Sequence, residues 1–252
     1  MPLSLSVIII TKNEAANIRA CLESVAWADE IVVVDSGSTD GTQEISREFT
    51  QHVYVHDWPG FGKQKNRALG YATKNWVLSL DADERVTHDL RLQIESVIAE
   101  SKYDGFYLPR LSQFCGKFIR HSGWYPDYVL RLFRRGKGRF SDDLVHETVL
   151  LDGTTGKLGS PLLHYSYRTA EDVERKVQHY ADSAARQMRA AGRRATWLDA
   201  PLRGSWAFLR TWVLRLGVLD GRAGWDIARM NARTTWLKYN NLRALSRVVH
   251  ND

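Results

Sequence analysis

Trp76-Val-Leu-Ser-Leu-Asp-Ala-Asp-Glu84 is the stretch on which the reading of this chain turns. Trp76 to Leu80 is apolar and compact, has a loop behind it at Thr73 to Asn75, and reads as a short buried strand. It ends in two aspartates, Asp81 and Asp83. On an extended chain residues i and i+2 point the same way, so both carboxylates would converge just past the strand's carboxyl end. Open α/β sheets hold their ligands there. Two hard oxygen donors in that place suit Mg²⁺ or Mn²⁺ carrying a diphosphate. The plain alternative is a turn that caps the helix expected to begin near Thr87, and Asp-x-Asp alone does not separate the two.

The segments before this one repeat its logic. Leu5 to Thr11 is an apolar run of the kind buried on both faces in a parallel sheet, and Lys12 to Ala16 turns it into a helix over Asn17 to Val25. Glu30 to Asp35 is a second such strand ending in a carboxylate, followed by the Gly/Ser/Thr loop Ser36 to Thr42 and a helix over Gln43 to Phe49. Val53 to Val55 is a third short strand, and Phe61 to Thr73 is a helix rich in Lys and Arg. Strands alternating with helices imply βαβ units. Asp35 can accept from a base N–H or a ribose hydroxyl, or its loop can be a simple turn with a helix cap.

After Arg85 the pattern changes. A helix over Leu90 to Glu100 is followed by strands at Gly105 to Arg110, Tyr128 to Phe133 and Val145 to Leu151, with an aromatic loop at Phe114 to Tyr125. Strands in succession suggest a mixed sheet whose second half accommodates another substrate.

Composition narrows the class. With 252 residues the chain can bury a substantial core. Cys21 and Cys115 form no disulfide framework and no metal-ligand spacing, so a reducing compartment fits. No signal peptide is expected, because no basic segment precedes Val7 to Ile10, and no apolar run is long enough to span a membrane. Neither G-x-G-x-x-G after the first strand nor G-x-x-x-x-G-K-[ST] occurs, which disfavours dinucleotide enzymes and P-loop phosphotransferases. The net charge of +6 is uneven: Thr169 to Asp252 holds 15 Lys and Arg against 8 Asp and Glu, with five of the nine tryptophans. Within it, Ser205 to Leu219 reads as a basic amphipathic helix with Phe208, Trp212 and Leu216 on one face. Such a helix either lies in a membrane interface or packs on the catalytic body. No nucleic-acid reader motif is present.

Ser6-Val-Ile-Ile-Ile-Thr-Lys-Asn-Glu14, Val33-Val-Asp-Ser-Gly-Ser-Thr-Asp-Gly-Thr42, Lys65-Asn66 and Leu80-Asp-Ala-Asp-Glu84, taken in order, resemble the family 2 glycosyltransferases. The tail, including Leu219-Asp-Gly-Arg-Ala-Gly224, is similar to a subgroup that builds the lipopolysaccharide inner core by adding a β-1,4-glucosyl residue to a heptose. The resemblance implies an α/β, GT-A fold: a Rossmann-like, mixed but mostly parallel sheet flanked by helices, with a C-terminal helical extension. It implies a catalytic domain over residues 1–168 and a basic helical extension over 169–252. The activity expected is inverting transfer from a UDP-sugar, using Mg²⁺ or Mn²⁺, to a lipid-linked saccharide. The expected place is the cytoplasmic face of the inner membrane, with no nucleic-acid partner.

The same resemblance assigns roles. Thr11, Asn13 and Glu14 would line the nucleotide pocket, and Asp35 would receive the uracil N–H. Lys65 would lie near base and phosphates, Asp81 beside the ribose, and Asp83 on the metal with His164. Glu147, in Leu144-Val-His-Glu-Thr148, would be the base. The family's x-Glu-Asp departs here to Val-His-Glu, so Asp142 and Asp143 stay open as alternatives. Gly123, Trp124 and Tyr125 would form the glycine loop beside donor and acceptor, with the two rings free to stack on a sugar or to pack.

Overall fold

The computed structural model describes residues 3–100, 102–142 and 148–247. It divides into two compact units, one of residues 1–110 and 127–164, the other of residues 111–126 and 165–252.

In the first unit the apolar runs Leu5–Thr11, Glu30–Asp35 and Trp76–Asp81 become strands because each buries both faces. β1 (Leu5–Thr11), β2 (Glu30–Asp35), β3 (Val53–Val55) and β4 (Trp76–Asp81) are joined through α1 (Ala15–Val25), α2 (Thr42–Arg47) and α3 (Phe61–Tyr71). β5 (Glu84–Val86), α4 (His88–Glu100), β6 (Gly105–Phe114), β8 (Asp127–Arg134) and β9 (Gly138–Phe140) follow, then β10 (Val149–Leu151), β11 (Thr155–Lys157) and β12 (Leu162–Tyr167), while β7 (Lys117–Phe118) and the ends of β6 and β12 fall in the second unit. The sheet order is β3-β2-β1-β4-β8-β6-β12-β5. β3, β2, β1 and β4 are parallel, and β8 runs antiparallel to both β4 and β6. This is the mixed sheet flanked by helices that the motifs imply.

Alternation along β1 divides the core. Leu5, Val7 and Ile9 face Ile18, Leu22, Leu90 and Ile94 of α1 and α4, while Ile8 packs with Ala68 of α3 and with Val32, Val77 and Phe133. Truncating a fully buried member such as Leu78 to alanine would cost about 2–5 kcal/mol. The polar interruption in this strand, Ser6, is also buried, and its hydroxyl donates to Glu30. The same carboxylate accepts the Thr73 N–H at 2.8 Å and the Thr73 hydroxyl at 2.7 Å, which ties the N-terminal edges of β1 and β2 to the end of α3.

Three expectations need amendment. The two-residue pleat argument stops at Asp81, because Ala82 and Asp83 form a turn into β5. α4 is capped by Thr87, whose hydroxyl accepts the Leu90 N–H at 3.2 Å, so Asp-Ala-Asp-Glu does not cap it. The strand expected over Val145 to Leu151 is seen from Val149, and residues 143–147 lie outside the described part.

The second unit is mostly helical. Thr169 caps α5 (Ala170–Ala190), accepting the Asp172 N–H at 3.2 Å, with Glu171 and Asp172 in the first turn. α6 (Asp199–Leu209) runs into a π-helical turn at Arg210–Leu214 and a 3₁₀ turn at Gly217–Asp220, ahead of α7 (Arg222–Arg247). The segment 205–219 is therefore not one helix: Leu216 sits at φ +55° and breaks it. Phe208 and Trp212 pack edge-on against Trp225 of α7 at 4.9 and 5.3 Å between ring centroids, whereas Leu216 is exposed. Among the described residues no helix is long and apolar enough to cross a membrane.

Candidate active site

β2, β1 and β4 are neighbours that end level: Thr11 lies opposite Asp35, and Ile10 opposite Asp81. Parallel strands that stop together leave a row of polar side chains at their carboxyl ends, where the connecting loops rise. Asp35 is fully buried there. One carboxylate oxygen accepts from the Gly37 N–H at 3.0 Å, the Ser38 N–H at 2.8 Å and the Gln43 amide at 2.8 Å. The other accepts from the Thr11 hydroxyl at 2.8 Å and from the Ser38 hydroxyl. A carboxylate has about four acceptor sites. Asp35 thus anchors its own loop, and a base N–H reaching it would have to displace one of these donors.

The loops after β1 and β2 interlock. Asn13, at φ +55°, accepts the Thr39 N–H at 2.9 Å and donates its own N–H to the Ser38 hydroxyl at 2.7 Å. The Glu14 N–H reaches the Thr42 hydroxyl at 2.8 Å, and the Glu14 carboxylate accepts from Asn17 at 2.7 Å. These contacts make the loops a preformed rim, with Asn13 itself exposed.

Asp81 and Asp83 take different company. Asp81 meets Lys65 of α3 at 2.9 Å with one oxygen and Arg131 of β8 with the other. Arg131 also reaches Glu84 at 2.7 Å, and Glu84 accepts the Asp81 N–H at 3.0 Å. Arg110 joins Asp127 at 2.7 Å and lies 3.7 Å from Glu84. Lys65, Arg131 and Glu84 are buried, and these contacts join three cations, Lys65, Arg131 and Arg110, to three anions, Asp81, Glu84 and Asp127. Burial works against the Asp81 charge, but Arg131 and Lys65 outweigh it and hold the carboxyl far below its ordinary value of 3.8. The Arg131 Nε is buried and has no acceptor among the described residues. Beside the set is a cavity of about 360 Å³ lined by Lys65, Asp81, Arg110, Arg131, Tyr107 and Tyr128, among others.

Asp83, carried out of the strand by the turn, faces His164 instead, with Oδ2 3.4 Å from Nε2. β12 pairs with β5 so that His164 stands opposite Glu84, which fixes the histidine beside the turn. One carboxylate oxygen and one imidazole nitrogen are suitable ligands for Mn²⁺ or Mg²⁺ and leave positions for phosphate oxygens and water. Among the described residues no group of three His, Cys, Asp or Glu forms a self-sufficient metal cage. The pair fits an ion shared with a substrate phosphate.

α3 also holds the segment at Phe140 to Asp142. The Asn66 side-chain amide pairs with the Phe140 backbone in both directions, each bond 2.9 Å. Gly62 lies so close to Ser141 that a Cβ would stand 1.9 Å from its carbonyl oxygen. Gly62→Ala should therefore cost about 1–3 kcal/mol in urea unfolding by overpacking. An unchanged midpoint would show that the 140–142 segment does not rest on α3. Asp142 is exposed in this segment, while Asp143 and Glu147 lie outside the described residues.

The loop bearing Gly123, Trp124 and Tyr125 belongs to the second unit. Asp220, nearly fully buried, accepts from the Ser122 hydroxyl at 2.7 Å, the His121 N–H at 3.2 Å and the His121 Nδ1 at 3.2 Å. The Ser122 N–H donates to the Arg215 carbonyl at 2.8 Å. Trp124 packs with Phe114 and Tyr167 at 5.8 and 5.5 Å between centroids, over Ile119 and Ile227, and Arg120 lies over the Tyr125 ring at 5.9 Å.

Glu84, Arg131, Arg110 and Asp220 were not singled out as site residues from sequence. A cation inside the apolar run Tyr128 to Phe133 and an aspartate inside Leu219 to Gly224 were the available signals.

Known proteins resemble this chain along most of its length. Residues 6–149 match the Glycosyl transferase family 2 model. The lipopolysaccharide core biosynthesis glycosyltransferase LpsC of Rhizobium meliloti is 34% identical over 206 residues, covering 76% of this chain and 74% of that protein. A glycosyltransferase of Rickettsia typhi is 27% identical over 255 residues, covering 96% and 87%. The crystal structure of S. aureus TarS 1-349 in complex with UDP-GlcNAc aligns over 98% of this chain and 91% of that chain, with a TM-score of 0.49 and 16% identity. With residues 6–149, more than half its length, matched by that model, this chain belongs to glycosyl transferase family 2.

Proposed function

We propose that this family 2 enzyme transfers a sugar, glucose in our reading, from a UDP-sugar to a heptose of a lipopolysaccharide inner core, with inversion to a β-linked product. The observation that carries the reading is the division of labour at the end of β4, where Asp81 is locked to Lys65 and Arg131 while Asp83 stands with His164. The likeness to LpsC supports the acceptor class.

In this reading Thr11, Asn13 and Glu14 line the nucleoside side, and Asp35 receives the base N–H once one of its loop donors yields. Lys65, Arg131 and Arg110 present positive charge and N–H donors to the diphosphate. The buried Arg131 Nε is suited to donate to a phosphate oxygen. A divalent ion, Mg²⁺ or Mn²⁺, on Asp83 and His164 would supply further positive charge against the departing diphosphate. Glu147 takes the acceptor hydroxyl proton, with Asp142 and Asp143 as the alternatives, and the oxygen attacks the anomeric carbon opposite the leaving group. Trp124 and Tyr125 are assigned to the acceptor by the resemblance alone, and within its own unit Trp124 holds its loop against Phe114 and Tyr167.

Glu147→Gln should lower kcat by about 10²–10⁴-fold with donor KM little changed, since general base catalysis contributes that much. A near wild-type kcat at saturating donor would move the base to Asp142 or Asp143. The whole reading is tested by UDP release across a panel of UDP-sugars and truncated cores. Release with UDP-glucose and a heptose-terminated core supports it. Release with a polyprenyl phosphate instead would replace the acceptor and keep the transferase.

A further inference from the structure

The distribution of side chains on α6 is inverted for a surface helix. Beside Phe208, which packs on Trp225, the buried face of α6 carries small residues, Ala200, Gly204 and Ala207, and Thr211 continues it in the turn that follows. A Cβ on Gly204 would stand 3.3 Å from the Ala232 carbonyl, so close packing of α6 on α7 uses that small face. Two residues further on in each case, which is the opposite side of the helix, come Leu202, Trp206, Leu209 and Val213. These are 65, 56, 51 and 52% exposed, and Trp197 and Leu214 add 67 and 63%. An amphipathic surface helix places its large apolar residues inward. Here they form an outward stripe, of the kind that marks an interaction surface.

We propose that this outward face of α6, with the turns after it, is a docking surface for an anionic lipid bilayer. Charge selects the occupant. Between Arg193 and Arg215 the sequence holds five arginines and one acidic residue, Asp199. Their fields crowd together: burial first, then Arg203, Arg193 and Arg210, hold the Lys238 ammonium below its ordinary value. Arginines around exposed tryptophan and leucine are the composition of a helix lying in the headgroup region, and indole side chains favour that depth. Among the described residues no helix is long and apolar enough to cross. A second copy of the chain is a poorer occupant, because a two-fold contact through this face would set its arginines against their own equivalents.

The inference builds on the reading of a lipid-borne acceptor, and vesicles without any glycan keep the two separable. The full chain should sediment with vesicles of equal parts phosphatidylglycerol and phosphatidylcholine, weakly with phosphatidylcholine alone, and less as salt rises. Trp206→Asp with Leu209→Asp should lower the partition coefficient by about tenfold or more. Arg193→Gln with Arg210→Gln should lower it by about fivefold per charge at low salt, with the fold checked by circular dichroism. Absence of vesicle binding, binding that ignores both variant pairs, or a concentration-dependent dimer that the aspartate pair dissolves would each overturn the proposal. Vesicle binding without transfer to any core acceptor would leave the docking surface standing and discard the acceptor.

Discussion

Asp83→Ala is expected to lower turnover by about 10²–10⁴-fold, the effect of several kcal/mol of lost charge stabilisation at a leaving diphosphate, while leaving thermal unfolding nearly unchanged. The asymmetry comes from position. Asp83 sits in the turn after β4, about a quarter exposed, and its partner is His164 rather than the buried cation set. Removing it leaves the contacts of Asp81 with Lys65 and Arg131 in place. His164→Ala should act on the same step, so the double variant should be no worse than the more damaged single one. Chelation should reproduce the loss in the wild-type protein and add nothing to the Asp83 variant. Additive losses, or equal chelator sensitivity in both, would separate Asp83 from the metal.

Arg131→Met is expected to have the opposite profile, with unfolding free energy falling by about 3–5 kcal/mol because Asp81 and Glu84 are left with an unpaired buried charge between them. Arg131 is itself buried and bridges both carboxylates. The pH dependence follows from the sign of the Asp81 shift. Its carboxyl is depressed in the folded state, so its stabilisation is fully present above the unfolded value near 3.8 and is lost as pH falls below it. The gap between wild type and Arg131→Met should therefore be complete at neutral pH and narrow in acid. Denaturant midpoints measured at pH 7 and near pH 3 would test this. A cost below about 1 kcal/mol at pH 7 would place the ion set among surface pairs.

What could be read from sequence and what could not divides along physical lines. β1, β2 and β4 were legible because strands buried on both faces are unbroken apolar runs, and their carboxyl-end polar residues follow directly. β5, only three residues, carries no periodicity, and β12 mixes Leu, His, Tyr and Ser without alternation. In the local pattern the separation of Asp81 from Asp83 was lost with β5, because the turn between them starts that strand, and only the family resemblance gave the two different roles. Arg131 was visible as a cation in an apolar run, but its partners lie 47 and 50 residues away, a distance no local pattern spans. On α6 and the turns after it the period was read correctly along Phe208 and Trp212. That period belongs to the face packed on Trp225, and the outward stripe through Leu202, Trp206 and Leu209 went unread. The packing alternative raised for the tail thus has Phe208 and Trp212, and the outward stripe is the surface proposed above for the bilayer.

The most direct test of the central claim is the product itself. UDP-glucose and a heptose-terminated core, incubated with the full chain and Mg²⁺ or Mn²⁺, should give a glucosylated core whose anomeric proton has the large NMR coupling of a β linkage. An α-linked product would contradict single displacement, and tight UDP binding with no product on any core would contradict the acceptor.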